Sequence, residues 1–328
     1  MKTLKIDPRL SVAPMMNWTD RHCRVFHRLL SKNCLLYSEM LTTGAIINGN
    51  REKLLKFSEI EHPVALQLGG SNPEELSEAS KIGADFGYDE INLNLGCPSD
   101  RVQSGCFGAT LMQEPKLVFE CISRMVKNVK NTKITAKCRL GVDEQDPKSI
   151  LPDFLEHLID AGVDGVIIHA RKALLKGLSP KQNRDIPAIN YGLVGEMKDK
   201  FPQTEIVING GIDNLTAVNQ FISMGLDGAM IGRAAYHNPH EILLEADKVI
   251  FGKREKSMTM KDALLELCNY IEKELLQGTR LNEITRHILG AFNGFPGARH
   301  FRQTLSELAH RPGAGLEVVK EAIDKISN

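Results

Sequence analysis

Short apolar runs recur along the first 250 residues, and each ends in a polar or glycine-rich cluster before helical periodicity begins. Such runs predict buried β-strands, and the 3.6-residue spacing that follows each one predicts an amphipathic helix. The predicted strands are Leu10–Met16, Leu35–Met40, Val64–Gly69, Glu90–Gly96, Ile134–Leu140, Gly165–Ala170, Glu205–Gly211 and Gly228–Arg233. The predicted helices cover residues 19–31, 44–56, 73–86, 115–130, 149–161, 190–200, 214–224 and 238–250.

Eight alternating strand and helix units predict an α/β fold of the (β/α)8 type, the TIM barrel. The alternative is a doubly wound parallel sheet, whose first strand is usually followed by the glycine-rich pattern G-x-G-x-x-G. The residues at that place are Ala13-Pro14-Met15-Met16 instead. We therefore expect a TIM barrel.

The strand pattern stops near residue 250, and the charged segment 252–256 predicts a linker. Beyond it, the spacing predicts helices over residues 259–277, 280–292, 297–310 and 315–326. We expect residues 1–250 to form the catalytic barrel and residues 251–328 to form a small helical domain. Because residues 280–311 hold five arginines against two glutamates, one face of this domain is expected to be basic.

The composition is that of an ordinary folded chain, with 328 residues, 42% hydrophobic residues, and 41 basic against 41 acidic side chains. It excludes a disordered chain and a highly basic histone-like binder, so any nucleic-acid contact must be a local patch. The N-terminus lacks the apolar core of a signal peptide, and no later run approaches the roughly 20 apolar residues of a membrane helix. We expect a cytoplasmic protein with no membrane partner.

Seven cysteines are present, without a C-x-x-C pair and without histidines at zinc-finger spacing. This arrangement predicts reduced thiols and no metal site. Cys97 differs from the others because it follows the fourth strand between Gly96 and Pro98, where its side chain is expected to project over the barrel mouth. A thiol with the ordinary pKa of about 8.5 is mostly protonated at neutral pH and can act as a general acid. The remaining cysteines either fit buried apolar positions (Cys23, Cys121, Cys138 and Cys268) or have no discernible role (Cys34 and Cys106).

Polar and glycine residues cluster at the carboxyl ends of the predicted strands, which is where a TIM barrel carries its chemistry. Burying polar groups unpaired among Val, Ile and Leu is costly, so a plain core would not need them. The cluster comprises Met15, Met16, Glu39, Gln67, Asn94, Cys97, Lys137, Arg139, His169, Arg171, Asn209, Gly210, Gly211, Gly232 and Arg233. It is the strongest functional signal in the sequence.

The ends of the seventh and eighth strands favour a phosphate site. The small residues of 209–212 and 231–233 can expose backbone N–H groups and an arginine to a phosphate, although either cluster alone could be a tight turn. Together they favour a phosphorylated cofactor. Three roles for Lys137 stay open: a Schiff-base nucleophile, a charge partner for an anionic cofactor, or an ion-pair residue of the barrel.

Taken in order, these motifs resemble those of the tRNA-dihydrouridine synthases, and several segments point to the A branch of that family. The resemblance spans nearly the whole chain. It rests on APMMNWTD at 13–20, ALQLGG at 65–70, NLGCPSDRVQ at 94–103, IHARKA at 168–173, GLSPK at 177–181, NGG at 209–211, GR at 232–233, TRH at 285–287 and PGAR at 296–299. The sequence departs from the usual pattern at Asn17, where Asp is commoner, and has Cys106 at a position that we expect to vary.

The resemblance implies FMN in the barrel mouth, NADPH as the reductant, and tRNA uridines at D-loop positions 20 and 20a as the substrate. It implies that hydride passes from flavin N5 to uracil C6 and that Cys97 protonates C5, which yields 5,6-dihydrouridine. It also implies that Lys137 lies near N1 and O2 of the flavin. The other implied flavin contacts are Pro14, Met15, Met16, Gln67, His169, Asn209, Gly210, Gly211, Gly232 and Arg233.

For the RNA, the resemblance implies that Asn94 reads the edge of an extruded uracil and that Arg139 holds a flavin or uracil oxygen. A basic loop without acidic residues follows strand six, and three arginines of the helical domain are expected to face outward. Together they would form a tRNA-binding surface, made of Lys172, Lys176, Lys181 and Arg184 of the loop with Arg286, Arg299 and Arg302. We expect a monomer.

Three other hypotheses stay open. A barrel flavoenzyme that reduces a small pyrimidine or enone would share the phosphate loops, but it would not need basic C-terminal helices. An aldolase would use Lys137 as a Schiff base without a flavin. A catalytically silent tRNA-binding protein would bind tRNA equally well after the substitution Cys97→Ala.

Overall fold

The computed structural model describes residues 6–99, 102–103, 105–253 and 258–326. Parallel strands close into a barrel, in which each strand pairs with its neighbours in sequence and the first pairs with the last. The strands are β1 (Leu10–Val12), β2 (Leu35–Thr42), β3 (Val64–Gly69), β4 (Glu90–Leu95), β5 (Lys133–Arg139), β6 (Gly165–His169), β7 (Glu205–Asn209) and β8 (Gly228–Ile231). The predicted TIM barrel is confirmed.

Helices surround the barrel between the strands. Their apolar positions recur at the spacing of one helix face, as Val118, Ile122 and Met125 do in the helix that precedes β5. The helices are Arg21–Leu30, Thr43–Asn48, Arg51–Leu55, Pro73–Asp85, Pro115–Asn128, Pro147–Asp160, Tyr191–Lys200 and Leu215–Ser223, followed after β8 by Arg233–His237, Pro239–Ile242 and Ala246–Val249.

Two helices that the periodicity predicts as continuous are interrupted. The segment 44–56 forms two helices because the side chain of Asn50 accepts a hydrogen bond from the backbone of Lys53, which starts a new helix. The segment 238–250 also divides, into Pro239–Ile242 and Ala246–Val249.

The first and last strands end earlier than predicted. The first does not reach Met16, because the carbonyl of Met15 accepts hydrogen bonds from the N–H groups of Trp18 and Thr19 at 3.1 and 3.0 Å and the chain turns. The last ends at Ile231, and Arg233 begins a helix instead of completing the strand.

In residues 258–326, the described part of the chain after the barrel, four α-helices form: Met260–Leu276, Leu281–Thr285, Ala298–Leu308 and Leu316–Asp324. The predicted helix over 280–292 is wrong beyond Thr285, where the chain continues in turns. Residues 254–256 of the predicted linker lie outside the described residues. The division of the chain into domains at residue 250 stays a prediction.

The strand register brings polar residues to one level of the barrel. Asn94 pairs with Lys137 between β4 and β5, whereas His169 of β6 pairs with Arg139 on one side and with Asn209 on the other. All of these positions lie near the carboxyl ends of their strands. Their side chains therefore gather at one mouth of the barrel.

Candidate active site

A chain of side-chain amides joins the neighbouring strands β3 and β4 at the barrel mouth. Asn94 Nδ2 donates to Gln67 Oε1 at 2.8 Å, and Gln67 Nε2 donates to Asn92 Oδ1 at 2.8 Å. Gln67 is only 1% exposed, so these contacts satisfy a buried amide. Asn94 Oδ1 in turn accepts from the backbone N–H groups of Gly96 and Cys97 at 3.1 and 3.0 Å. Asn94 thus links Gln67 to the turn that carries Cys97.

Cys97 is a half-buried free thiol on that turn. Its Sγ donates to Ser99 Oγ at 3.5 Å, and its carbonyl accepts from the backbone of Ala109 at 3.0 Å. Gly108 approaches so closely that a Cβ there would lie 2.6 Å from the Cys97 carbonyl oxygen, and its φ of +69° favours glycine. The backbone of Cys97 is therefore held at its N–H by Asn94 and at its carbonyl by Ala109. These contacts fix the position of the thiol.

Lys137 lies inside the barrel and donates through Nζ to Asn209 Oδ1 at 2.9 Å. Asn209 Nδ2 donates to the carbonyl of Met230 at 2.8 Å, which fixes its side-chain oxygen toward the lysine. Burial, with Arg139 as the next cause, lowers the pKa of Lys137 to about 7. Among the described residues, no carboxylate forms an ion pair with Lys137, which disfavours a role as a barrel ion-pair residue.

His169 ends β6 beside the glycines that follow β7. It is 7% exposed, and its Nε2 is buried with no hydrogen-bond partner in the described part of the chain. Burial, followed by the charges of Arg139 and Lys137, holds the pKa of His169 well below its usual range, so the ring is neutral. Gly210 has a φ of +113°, and a Cβ there would lie 2.7 Å from His169 Cδ2. The backbone of Gly210 therefore lies directly against the imidazole.

Two arginines at the mouth form hydrogen bonds with the loop that follows β6. Arg139 is 4% exposed and donates through Nε to the carbonyl of Gly96 at 3.1 Å, and burial lowers its pKa to about 10. Its Nη1 donates to the carbonyls of Lys172 and Asn183 at 3.3 and 3.0 Å. Arg171 Nη1 donates to the carbonyl of Asp185 at 3.2 Å, whereas its Nε is buried and has no hydrogen-bond partner among the residues that the structure describes.

Arg233 follows Gly232 at the end of β8 and forms an ion pair. Its Nη2 lies 2.7 Å from Asp185 Oδ1. Asp185 is not among the residues predicted for the site, although it directly follows Arg184, which is. The buried Asn183, whose Nδ2 donates to the carbonyl of Leu174 at 2.8 Å, was missed as well. Neither contact has a local sequence pattern that would predict it.

The turn after β1 completes the mouth. The backbone N–H of Met15 donates to Thr19 Oγ1 at 2.9 Å, and Met16 is exposed. Asn17 has a φ of 64°, and its N–H donates to a carboxylate oxygen of Glu39. Asparagine is one of the non-glycine residues that most readily adopt this conformation, so the departure at this position fits the turn. Cys106, the other departure, is exposed and also has a positive φ, of 54°.

The sequence model of the family described as dihydrouridine synthase matches residues 11–327. This chain belongs to the dihydrouridine synthase family. The resemblance found in the sequence is thereby confirmed.

Curated members of the dihydrouridine synthase family align with nearly all of the chain. The tRNA-dihydrouridine(20/20a) synthase of Vibrio cholerae is 52% identical over 97% of this chain and 96% of its own. Enzymes of the same name from Shewanella oneidensis and Pseudomonas aeruginosa are 50% identical (98% of this chain, 95% of theirs) and 46% identical (97% and 95%).

Solved structures of other proteins share the fold. Morphinone reductase has a TM-score of 0.53 at 13% identity and covers 76% of this chain and 87% of its own. The old yellow enzyme homologue of Zymomonas mobilis has a TM-score of 0.54 at 13% identity, with 76% and 90% covered. At this identity the likeness shows a common barrel and no more.

The basic residues predicted for RNA lie at different depths in this family member. Lys181, Arg184 and Arg299 are exposed. Arg286 is also exposed, but its Nη2 lies 2.5 Å from Asp20 Oδ2. Arg302 is half-buried, and its Nη1 donates to Asn293 Oδ1 at 2.6 Å, so the expectation that it faces outward stays a prediction.

Within the described residues of this family member, no group of three or more His, Cys, Asp or Glu side chains is arranged to hold a metal ion. None of the helices in that part of the chain has both the length and the apolar character needed to cross a membrane.

Proposed function

We propose that this protein reduces the C5=C6 bond of uridines at D-loop positions 20 and 20a of tRNA to 5,6-dihydrouridine, using FMN and NADPH. The observation that carries the proposal is the 52% identity over 97% of the chain to a tRNA-dihydrouridine(20/20a) synthase. An enzyme of this kind would act where tRNA is processed, in the cytoplasm, and we expect it to act as a monomer.

The residues at the mouth fit FMN. The buried Nε2 of His169 has no hydrogen-bond partner among the described residues. A Cβ at position 210 would clash with this imidazole, and glycine there lets the backbone lie close to a ligand. Pro14, Met15 and Met16, with the amide of Gln67, would contact the ring system, and Asn209, Gly210, Gly211, Gly232 and Arg233 would hold the ribityl phosphate. When bound, FMN supplies hydride transfer between NADPH and the uracil.

Lys137 provides the positive charge of the site. Within the described residues, its ammonium group has a neutral amide as its hydrogen-bond partner and no carboxylate, so its charge is available to an anionic ligand. An anion close to it would raise its pKa again from about 7 and keep it protonated. Lys137 therefore acts as an electrostatic partner of the reduced cofactor, which supports that role over a Schiff base.

Cys97 holds a proton at Sγ and delivers it to uracil C5 on the face opposite the hydride. Its turn is fixed by Asn94 Oδ1 and, through the carbonyl of Gly96, by Arg139. Asn94 Nδ2 has a second N–H that can read the uracil edge. Arg139 uses Nε and Nη1 on protein carbonyls, which leaves Nη2 for a flavin or uracil oxygen.

The tRNA must present its uridine outside the base stack before the mouth can take it. Lys181 and Arg184 lie on the loop beside the mouth, and Arg299 and Arg302 lie on the C-terminal helix Ala298–Leu308. These side chains would bind phosphates of the folded RNA, which fixes its position without reading the sequence.

The test is the visible absorption spectrum of the purified protein, its bleaching by NADPH, and its recovery on adding unmodified tRNA. We expect a yellow protein that is reoxidised by tRNA but not by free uridine. Reoxidation by free uridine would favour a small-pyrimidine reductase. A colourless protein that cannot be reconstituted with FMN would overturn the proposal and return Lys137 to the Schiff-base role.

A further inference from the structure

Asp185 lies among three arginines above the ends of β6 and β8. Its Oδ1 accepts from Arg233 Nη2 at 2.7 Å, and its Oδ2 accepts from Arg233 Nη1 at 3.5 Å. Arg171 donates to its main-chain oxygen at 3.2 Å, and Arg184 precedes it in the chain. A carboxylate therefore already occupies a cluster of cations that is suited to a phosphate.

The backbone around Asp185 is anchored independently of this ion pair. Arg139 Nη1 donates to the carbonyl of Asn183 at 3.0 Å, and Arg171 Nη1 donates to that of Pro187. The buried Asn183 also accepts from the N–H of Leu174 at 2.8 Å. Breaking the contact between Asp185 and Arg233 therefore leaves the loop attached to the mouth.

Arg233 is the guanidinium that the proposed function assigns to the cofactor phosphate. A carboxylate and a phosphate use the same pair of guanidinium donors. The two side chains of the ion pair are 42% and 45% exposed, so solvent screens it and an incoming anion can replace it. Because Asp185 is tethered beside Arg233, its effective concentration is high, and a weakly held anion would not displace it.

We propose that Asp185 is an internal competitor for Arg233 that the cofactor phosphate must displace, and that it thereby sets the selectivity of this subsite. A ligand that also contacts the rest of the mouth overcomes the competition, whereas inorganic phosphate does not. The proposal rests on the proposed function in two respects, that the cofactor is FMN and that Arg233 contacts its phosphate.

The experiment compares FMN with riboflavin, which lacks the phosphate, by flavin fluorescence titration of the full-length protein freed of flavin. Asp185→Asn keeps the shape of the side chain and removes its charge. We expect the Kd for FMN to fall about threefold or more and the Kd for riboflavin to stay unchanged. In the Arg233→Gln background, Asp185→Asn should change neither Kd. Inorganic phosphate should compete with FMN more strongly in Asp185→Asn than in the parent.

Glu144→Gln is the matched control, because Glu144 is an exposed acid in the loop after β5 that does not contact Arg233. It should leave both Kd values unchanged. Weaker FMN binding by Asp185→Asn, no change, or an equal gain for both flavins would overturn the inference alone. A parent protein that binds neither flavin would overturn the proposed function, and the inference with it.

Discussion

The ammonium group of Lys137 lies 2.9 Å from the side-chain oxygen of Asn209, across the interior of the barrel. The two residues come from β5 and β7, which both pair with β6, so the contact spans the strand between them. Burial lowers the pKa of Lys137 to about 7, and the neighbouring charge of Arg139 adds to the effect. Burying a lysine without a carboxylate partner lowers the stability of the fold, so its presence in the barrel indicates a binding role.

The first prediction concerns how the loss of folding stability caused by burying Lys137 depends on pH. The ordinary lysine pKa is 10.5 and the folded value is about 7, so between these pH values the unfolded chain binds more protons than the folded one. The free energy of unfolding of the parent should therefore rise relative to Lys137→Met as pH increases from 7 to 10, by at most about 1.4 kcal/mol per pH unit. Urea denaturation of both proteins without flavin measures the difference.

The control for this prediction is Lys130→Met. Lys130 is exposed and precedes β5, at the opposite end of the barrel. Its stability difference from the parent should not change with pH. If the difference in free energy of unfolding between the parent and Lys137→Met does not change with pH either, then Lys137 keeps an ordinary pKa in the folded protein.

The second prediction concerns Cys97. Cys97→Ala should leave the affinities for FMN and tRNA unchanged and should slow flavin reoxidation by tRNA about 10²- to 10⁴-fold, the usual contribution of a general acid. Single-turnover absorbance measurements with the reduced enzyme report this rate directly. Cys106→Ala is the control, since that thiol is exposed and makes no assigned contact with the cofactor or the substrate. Unchanged turnover in Cys97→Ala would remove Cys97 from its acid role.

The barrel could be predicted from the sequence because its strands are short apolar runs with sharp ends, as in Val64–Gly69. The errors occur where local hydrogen bonds compete with a longer element. The carbonyl of Met15 turns the chain after β1, and Asn50 starts a second helix within a continuous helical pattern. The spacing of apolar residues predicts neither of these hydrogen bonds.

The polar residues of the mouth could also be predicted, because lysine and asparagine inside strands are conspicuous. The residues that form ion pairs across long stretches of sequence could not be predicted. Asp185 meets Arg233 across 48 residues of sequence, and Asp20 meets Arg286 across 266. Asp20 is recognisable as a helix N-cap, but its second carboxylate oxygen finds its partners only after the C-terminal helices have packed on the barrel.

The third prediction concerns this contact between the barrel and the C-terminal helices. Asp20 Oδ1 accepts from the backbone N–H groups of His22 and Cys23, whereas Oδ2 lies 2.5 Å from Arg286 Nη2 and 3.0 Å from His287 Nε2. Burial raises the pKa of Asp20, but the hydrogen bond and charge of His287 outweigh it and hold this pKa well below its usual range. Asp20→Asn should therefore lower the free energy of unfolding at pH 7 by about 1–3 kcal/mol.

The sign of the pH dependence follows from the lowered pKa. The ionised carboxylate stabilises the fold above the ordinary value of 3.8, and this contribution is lost as pH falls further. The gap between the parent and Asp20→Asn should therefore shrink between pH 5 and pH 3 in urea denaturation. Asp146→Asn is the control, because Asp146 is also an N-cap but forms no ion pair among the described residues. An equal loss of stability in both variants would assign the effect to the negative charge at a helix N-terminus and not to the ion pair.

The last prediction separates RNA-binding cations from the general charge of the protein. Each phosphate contact that is lost should reduce the slope of log K against log salt by about one, so Arg299→Glu with Arg302→Glu should weaken tRNA binding and flatten the slope by about two. Arg302 is half-buried and donates to Asn293, so Arg299→Glu alone tests the freely exposed member. Filter binding or fluorescence titration over several salt concentrations gives the slopes. Lys130→Glu reverses a charge at the opposite end of the barrel, and its slope should match that of the parent. If it flattens the slope as much as Arg299→Glu does, the RNA responds to net charge and the helix Ala298–Leu308 does not contact it.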